Sequence, residues 1–595
     1  MKSLNVLSQG RESKPAIAVR TCTYHRMEED LNTDDSDGAS YALYNGEELT
    51  NDTADASSSN STFDHREKQK TSVEDSAQAD HLSSAIYRMR NRLVFLRNFT
   101  QATGLNQAYN YNRTFLQKTP DICSFDIFET ELYSTEKEQL MPNPWSYFLG
   151  EVETGLDNYH ELGGINSPPS QVETSNDPVL VKASQIWDLF RPIIEKSSDR
   201  SISMFDVINF FSPENLSRYL PLFWDRWYPH CPIIHRPTFD IMTCPPLLLL
   251  SMALIGSLTS SDELGHQHVK LFLDMAEDLI FSHSIFSDSF VSNGEGFHSS
   301  EISILQATYF ISVMQKWEGT RTSKLRIQRS RFTTFVAAIR AIGLSRATHG
   351  GVAITPDFGT DSWQEYIRKE EMIRTFTYAF LLDSAFVIFH NSVPRMVLQE
   401  MAVDLTCPEE LFQASSVVEF ISEAMSHPKM CETTPLLMTC IRHLCAETPD
   451  LEIIRYLNSA STLNMFTIAT AIHGLIFHQK MSFTPMPLAT GPLSIALSRW
   501  EIAWKSILER LAHSPTSTQL WTKGGFTQHA DEFACLARIH LERANISSEK
   551  WNKLMQNLPK PLSQSTNDGI ATFDQTNMDH VANLILAVEL LNLNA

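Results

Sequence analysis

Residues 372–389 carry apolar side chains on nearly every side of a helix, with Arg374 and Asp383 as the only charges. A helix that is apolar all round must be covered on every side, so this chain has to build several helical layers around it. Neighbouring segments agree. Ile186, Leu189, Phe190, Ile193 and Ile194 recur at three- and four-residue spacing up to Lys196, the period of a helix buried on one face. Phe332, Phe335, Val336 and Ile339 repeat the pattern within residues 325–344, and Gly343 is the predicted C-cap. Further helices are expected at 497–511, 533–541 and 581–591. No series of alternating strands and no fixed-period repeat occurs. The predicted fold class is all-α, one large multi-helix domain behind a disordered acidic N-terminal tail.

The apolar runs at 245–258 and 375–389 are 14 and 15 residues long. Both fall short of the roughly 18–20 residues needed to cross a bilayer, so they are predicted as buried helices and no membrane partner is expected. Residues 1–84 read as a tail. Ten acidic residues and no Lys or Arg lie between Glu28 and Ser58, with Leu31, Tyr41, Leu43, Tyr44 and Leu49 scattered among them. Such a stretch buries too little apolar surface to offset its ordering entropy. Its composition suits an amphipathic activation segment, with a plain solvated tail as the alternative. Residues 85–177 read as a linker, with Pro142, Pro144, Pro168 and Pro169, opened by a short basic helix at 85–99 carrying Arg88, Arg90, Arg92 and Arg97. Residues 178–481 form the main helical domain and 482–595 a helical extension packed on it.

The formal net charge of −22, from 48 Lys+Arg against 70 Asp+Glu, disfavours nonspecific binding to nucleic acid or anionic membrane by the surface as a whole. Nine cysteines, none in a Cys-x-x-Cys pair, suit reduced thiols. The first residues lack a continuous apolar core, so no secretory signal is read there.

No catalytic constellation survives inspection. There is no nucleophile elbow, phosphate loop, dinucleotide fingerprint or His-Glu-x-x-His pair. The one Asp-Asp-x-Asp match, Asp34, Asp35 and Asp37, falls in the acidic tail, where no preorganised diphosphate site can form. Two Cys/His groupings are candidate zinc sites: His230, Cys231, His235 and Cys244, then Cys431, Cys440, His443 and Cys445. Neither has the spacing of a tetrahedral site, and both are read as buried thiols beside helix-flanking histidines. His266 and His268 sit at a helix start, unlike a hydrolase pair at a strand end. No metal and no catalytic residue is expected. Residues 321–346 hold seven basic residues and no acid. Arg321, Lys324, Arg326, Arg329 and Arg331 are the candidate contact patch for DNA phosphate or an acidic segment, and a solvated helix face is the plainer alternative.

The residues Tyr219 to Leu258 carry the most specific pattern. Phe223, Trp227, Pro229, Pro232, Ile233, His235, Pro237, Thr238 and Phe239 resemble the aromatic helix and His-Arg-Pro-Thr-Phe turn of the fungal-specific transcription factor domain, the regulatory domain of zinc-finger activators. In the same order, residues 335–344 resemble that family's helix ending in Gly-Leu. Trp363, Glu370, Glu371, Arg374, Thr375, Phe376, Leu382 and Asp383 resemble its Trp, Glu, Arg and Asp signature. Pro394 and Arg395, then Asp404 to Pro408, resemble the turns that follow. Residues 382–412 are most similar to members with two-Cys, two-His fingers. Several motifs in order over about 190 residues are more specific than any one alone.

The resemblance implies a nuclear regulator of transcription by RNA polymerase II, with homodimerisation as a further option. Family members bind zinc through a finger, whereas upstream of Pro178 this sequence has only Cys22 and Cys123. Cys22 with His25 cannot complete a tetrahedral site. The expectation is therefore no cofactor in this chain, contact with the transcription machinery or a DNA-binding partner protein, and direct DNA contact only with assistance. An all-α small-molecule enzyme or ligand sensor, or a helical adaptor, is the alternative function. On physical grounds Arg374 and Asp383 need buried partners. Glu370, four residues before Arg374, suits an ion pair. Glu370, Arg374 and Asp383 are predicted as one structural polar network, with the Arg395 guanidinium left to cap carbonyl groups.

Overall fold

The computed structural model describes residues 93–109, 177–196, 202–260, 263–287, 290, 299–350, 358–426, 434–482, 491–512, 525–543 and 573–593. The acidic tail, Cys22, His25, Cys123, Cys431 and most of the expected linker lie outside them. In chain order the helices are α1 Val94–Gln101, α2 Leu105–Tyr109, α3 Pro178–Lys196, α4 Met204–Phe210, α5 Pro213–Leu222, α6 Pro246–Leu258 and α7 Glu263–Phe281. Then come α8 Ser299–Glu318, α9 Arg321–Arg326, α10 Phe332–Ile342, α11 Thr360–His390, α12 Glu409–Phe412 and α13 Val417–Ser426. The chain finishes with α14 Leu437–Cys445, α15 Leu451–Leu457, α16 Thr462–Lys480, α17 Pro492–Ala512, α18 Ala530–Arg543 and α19 Asp579–Leu593. Among the described residues no strand occurs. One isolated antiparallel bridge joins Asp404 to Leu436. The fold is all-α.

Helix α11 is the axis of the body. It runs for 31 residues and ends at Asn391, whose φ of 49° places it in the left-handed region that terminates helices. Its apolar stretch is longer than the unbroken run suggests. Length and composition alone would let it cross a membrane, but 89 % of that window is buried within the protein. Helices α8, α16 and α19 pack against it, so its apolar surface is covered by other helices.

Helix α6 is the second buried rod. Every residue from Leu248 to Leu258 is buried, and Gly256 allows α5 to approach. A Cβ there would lie 2.0 Å from the Tyr219 carbonyl oxygen, so only glycine permits the contact. One apolar cluster extends from Leu93 to Val588, including Ala530 and Leu536 of α18 and Leu584 of α19. A smaller cluster, with Trp363, Tyr366, Leu411, Phe412 and Phe420, covers the first half of α11.

The sequence spacing predicts one unbroken helix over 325–344, and the structure corrects this. A π-helical turn, Ile327–Arg331, separates α9 from α10. The wider turn brings residues five apart towards one face. Arg326 and Arg331 consequently both reach Glu277 of α7, at 2.6 and 2.9 Å. Gly343 closes α10 with φ 86° and donates its N–H to the Ile339 and Arg340 carbonyls.

Candidate functional site

The signature motifs meet at the first half of α11. The Arg374 guanidinium is buried, and its Nε donates to Glu370 Oε1 at 2.7 Å. Nη1 donates to Glu409 Oε2 at 2.8 Å and to the Pro232 carbonyl at 3.2 Å. Nη2 donates to the Cys407 carbonyl at 3.2 Å. The Phe412 ring lies 3.8 Å below the guanidinium carbon, a cation–π contact in a desolvated place. Glu370 also accepts the Cys407 N–H at 3.0 Å, and its other oxygen lies 2.7 Å from His349 Nε2. Asp404 accepts the His349 N–H at 2.8 Å. Beside them, Glu371 accepts the His235 N–H at 2.8 Å, and Trp363 and Phe412 flank the His235 ring.

The electrostatics follow from this crowding. Burial opposes charge on His349, but Asp404 and Glu370 outweigh it and raise its pKa to about 9. Burial likewise disfavours the Glu370 carboxylate, yet Arg374 and His349 hold it below its usual range. Glu371, with only a backbone N–H as compensation, is pushed by burial up to about 7. The polar centre is closed: a fork of donors and its acceptors satisfy each other inside the protein. That chemistry fixes the Pro232–His235 turn and the Cys407 turn onto α11.

Asp383 does not join Glu370 and Arg374. It lies nine residues beyond Arg374, two and a half helical turns along and on the opposite face. Its Oδ2 accepts the N–H groups of Arg395 and Met396 at 2.9 and 2.8 Å, which shapes the turn leaving α11. Burial raises its pKa to about 6 despite those donors. Arg395 reaches back to the Gln328 carbonyl, and Arg340 donates to Glu400 and to the Arg395 carbonyl. The predicted single network is thus two, separated by helix phase.

The basic segment is likewise divided. Arg326 pairs with Asp274 and Glu277, and Arg331 with Glu277 and Asp278. Glu277 is fully buried. Arg321 and Arg329 are exposed, whereas Lys324 turns towards an aromatic cavity beside Lys316. The five residues therefore do not form one outward-facing patch, because acids on α7 occupy the two central arginines.

The described members of the Cys/His groupings make hydrogen bonds and packing contacts within the fold. Cys231 and Cys440 are buried, and burial pushes the Cys440 thiol up to about 12. His235 Nδ1 meets Thr238 Oγ1 at 2.7 Å, His443 Nδ1 accepts the Asp450 N–H at 3.3 Å, and His266 Nε2 lies 2.9 Å from the Ser260 carbonyl. Among the described residues no three His, Cys, Asp or Glu side chains are grouped to hold a metal ion. His349, Asp404 and Glu409 were not singled out by the sequence. Asp404 sits in a recognised turn motif, but His349 and Glu409 have no local signal.

Residues 220–485 match the family described as the fungal specific transcription factor domain. The chain is 30 % identical over 531 residues to transcription factor verF of Penicillium polonicum, covering 84 % of this chain and 70 % of that protein. Weaker similarity, 22 % over 213 residues and 18 % over 220, extends to the zinc finger proteins zas1 and klf1 of Schizosaccharomyces pombe. These alignments take in 35 % and 36 % of this chain but only 22 % and 26 % of those two proteins. No solved structure matches.

Proposed function

The chain belongs to the fungal specific transcription factor domain family and is a transcriptional regulator, and from that premise we propose that it works in the nucleus on RNA polymerase II promoters, reaching DNA through a DNA-binding partner and not as a catalyst. The observation that carries the assisted contact is the fate of the basic segment. Arg326 and Arg331 are spent on Asp274, Glu277 and Asp278, so the most positive stretch of an acidic chain is largely neutralised from within. Affinity for duplex DNA rises with the number of phosphates neutralised, and the three exposed arginines left outside the segment's ion pairs, Arg321, Arg329 and Arg346, give few such contacts. The uncompensated acids between Glu28 and Ser58 supply the activating surface for the transcription machinery.

Tethering tests this reading. The full chain fused to a heterologous DNA-binding domain should raise a polymerase II reporter, and deleting residues 28–58 should remove most of the rise. The unfused purified chain should not retard a specific promoter fragment at physiological salt. Tight, sequence-specific retardation by the chain alone would overturn assisted contact. An unresponsive reporter would overturn activation.

A further inference from the structure

We propose that the aromatic cavity at the second half of α11 binds a small organic monoanion, a flat apolar body bearing one carboxylate or sulfonate, with the anionic group facing Lys316 and Lys324. The cavity has a volume of about 380 Å³, within the roughly 300–1,000 Å³ of small-molecule sites. Its wall is built from rings braced against each other. Phe99 meets Trp317 edge-on at 5.1 Å and Phe389 at 5.1 Å. Phe533 meets Phe389 at 6.0 Å and Phe466 at 4.7 Å. Rings held in this way resist collapse into the void and offer faces and edges to a planar guest.

The polar lining sets the charge of the guest. Lys316 and Lys324 both line the cavity, and among the described residues neither makes an ion pair. Lys316 Nζ spends one donor on Gln328 Oε1 at 2.8 Å and lies 5.5 Å from the Phe386 centroid. Burial first, then repulsion from Lys324, lowers its pKa to about 7, with Asp574 acting in the opposite sense. An anion placed between the lysines would relieve that repulsion and restore the charge. The wall's other ionisable groups include one carboxylate and one imidazole. Asp579 accepts from the Asn577 amide, and His390 is held well below its usual range, by burial first and then by Lys316.

The position gives such a guest leverage. Phe99 and Tyr109 come from the N-terminal segment, Trp317 and Phe389 from the central helices, and Phe526 and Phe533 from the C-terminal helices. A ligand touching all three stabilises the arrangement that joins them, in proportion to its differential affinity. This proposal goes beyond the transcriptional reading. It can fail while that reading stands, because its test is binding by the purified chain.

The probes are 8-anilinonaphthalene-1-sulfonate and its neutral counterpart N-phenyl-1-naphthylamine, titrated into the full chain by fluorescence. Both should saturate one site. Lys316→Gln, which keeps a partner for Gln328, should weaken the sulfonate roughly tenfold, as expected for one charge-assisted hydrogen bond. The same variant should leave the neutral probe within about twofold, since only the anion gains from the ammonium. Ala385→Trp, which fills the cavity, should abolish both without changing the circular dichroism spectrum. Should the tryptophan unfold the chain, Ala385→Met on the same wall reads the same loss in weaker form. Wild-type affinity of Lys316→Gln for the sulfonate, undiminished binding in the filled variants, or non-saturating uptake of both probes would each overturn the proposal.

Discussion

The two halves of α11 handle buried charge in opposite ways. Around Glu370 and Arg374 the guanidinium meets two carboxylates and two carbonyls, and Glu370 is claimed by His349 and Cys407 as well. Around Phe386 and Phe389 the wall is apolar and two lysines face a void. In the polar cluster the Arg374 donors and the Glu370 oxygens are spent on groups within the fold, so its effect is to fix loops in place. A cationic end on an aromatic cavity leaves donors to spare. One helix thus presents a scaffold at its start and a receptive surface at its end.

Four measurements would break or sharpen that contrast, and the largest effect is expected in the saturated half. Arg374→Ala should cost about 3–5 kcal/mol, since it strands Glu370 and Glu409 beside a lost partner. A urea midpoint equal to wild type would show that the cluster is not structural. Next comes its response to pH. His349 binds its proton more tightly folded than unfolded, with its pKa raised to about 9. Its contribution is therefore complete below about 6.5 and disappears as pH rises through about 9, on the order of 3 kcal/mol or slightly more if the whole shift is read as stability. Urea midpoints at pH 6 and pH 9.5 should differ accordingly, and His349→Gln should flatten the difference.

Asp383→Asn keeps one oxygen for the Arg395 and Met396 N–H groups and should cost only about 1 kcal/mol in the same urea unfolding measurement. A loss matching that of Arg374→Ala would mean the two networks are coupled after all. The smallest change belongs to the receptive half. Lys316→Met removes a half-buried cation without an ion-pair partner but also the donor to the buried Gln328 Oε1, so the two effects oppose each other and stability should stay within about 1 kcal/mol. A loss like that of Arg374→Ala, read by calorimetry, would place Lys316 in a saturated structural network and erase the contrast.

The Glu370–Arg374 pair was legible because opposite charges four residues apart in an apolar helix have few other ways to be satisfied. The same reading failed for Asp383. Its need for partners was visible, but which turn would meet it depends on the direction in which the chain leaves α11. The sign of residues 321–346 was also plain, whereas their neutralisation was not, because the π-helical turn at Ile327–Arg331 and the acids of α7 are needed together. His349 and Glu409 carried no signal, lying in segments 21 and 35 residues from the groups they meet. The cavity was hidden for another reason. Nothing in the sequence sets Phe99, Trp317, Phe389 and Phe533 apart, because aromatic residues bordering a void have the same spacing as those filling one.

By itself, the sequence determined the all-α class, the central position of α11 and the family, since helical periodicity and ordered motifs are properties of short stretches of chain. Tertiary structure alone decided which charges neutralise each other and where packing stops short of filling space. Both depend on the meeting of side chains from distant segments, and ion pairing and close packing change within a few ångströms.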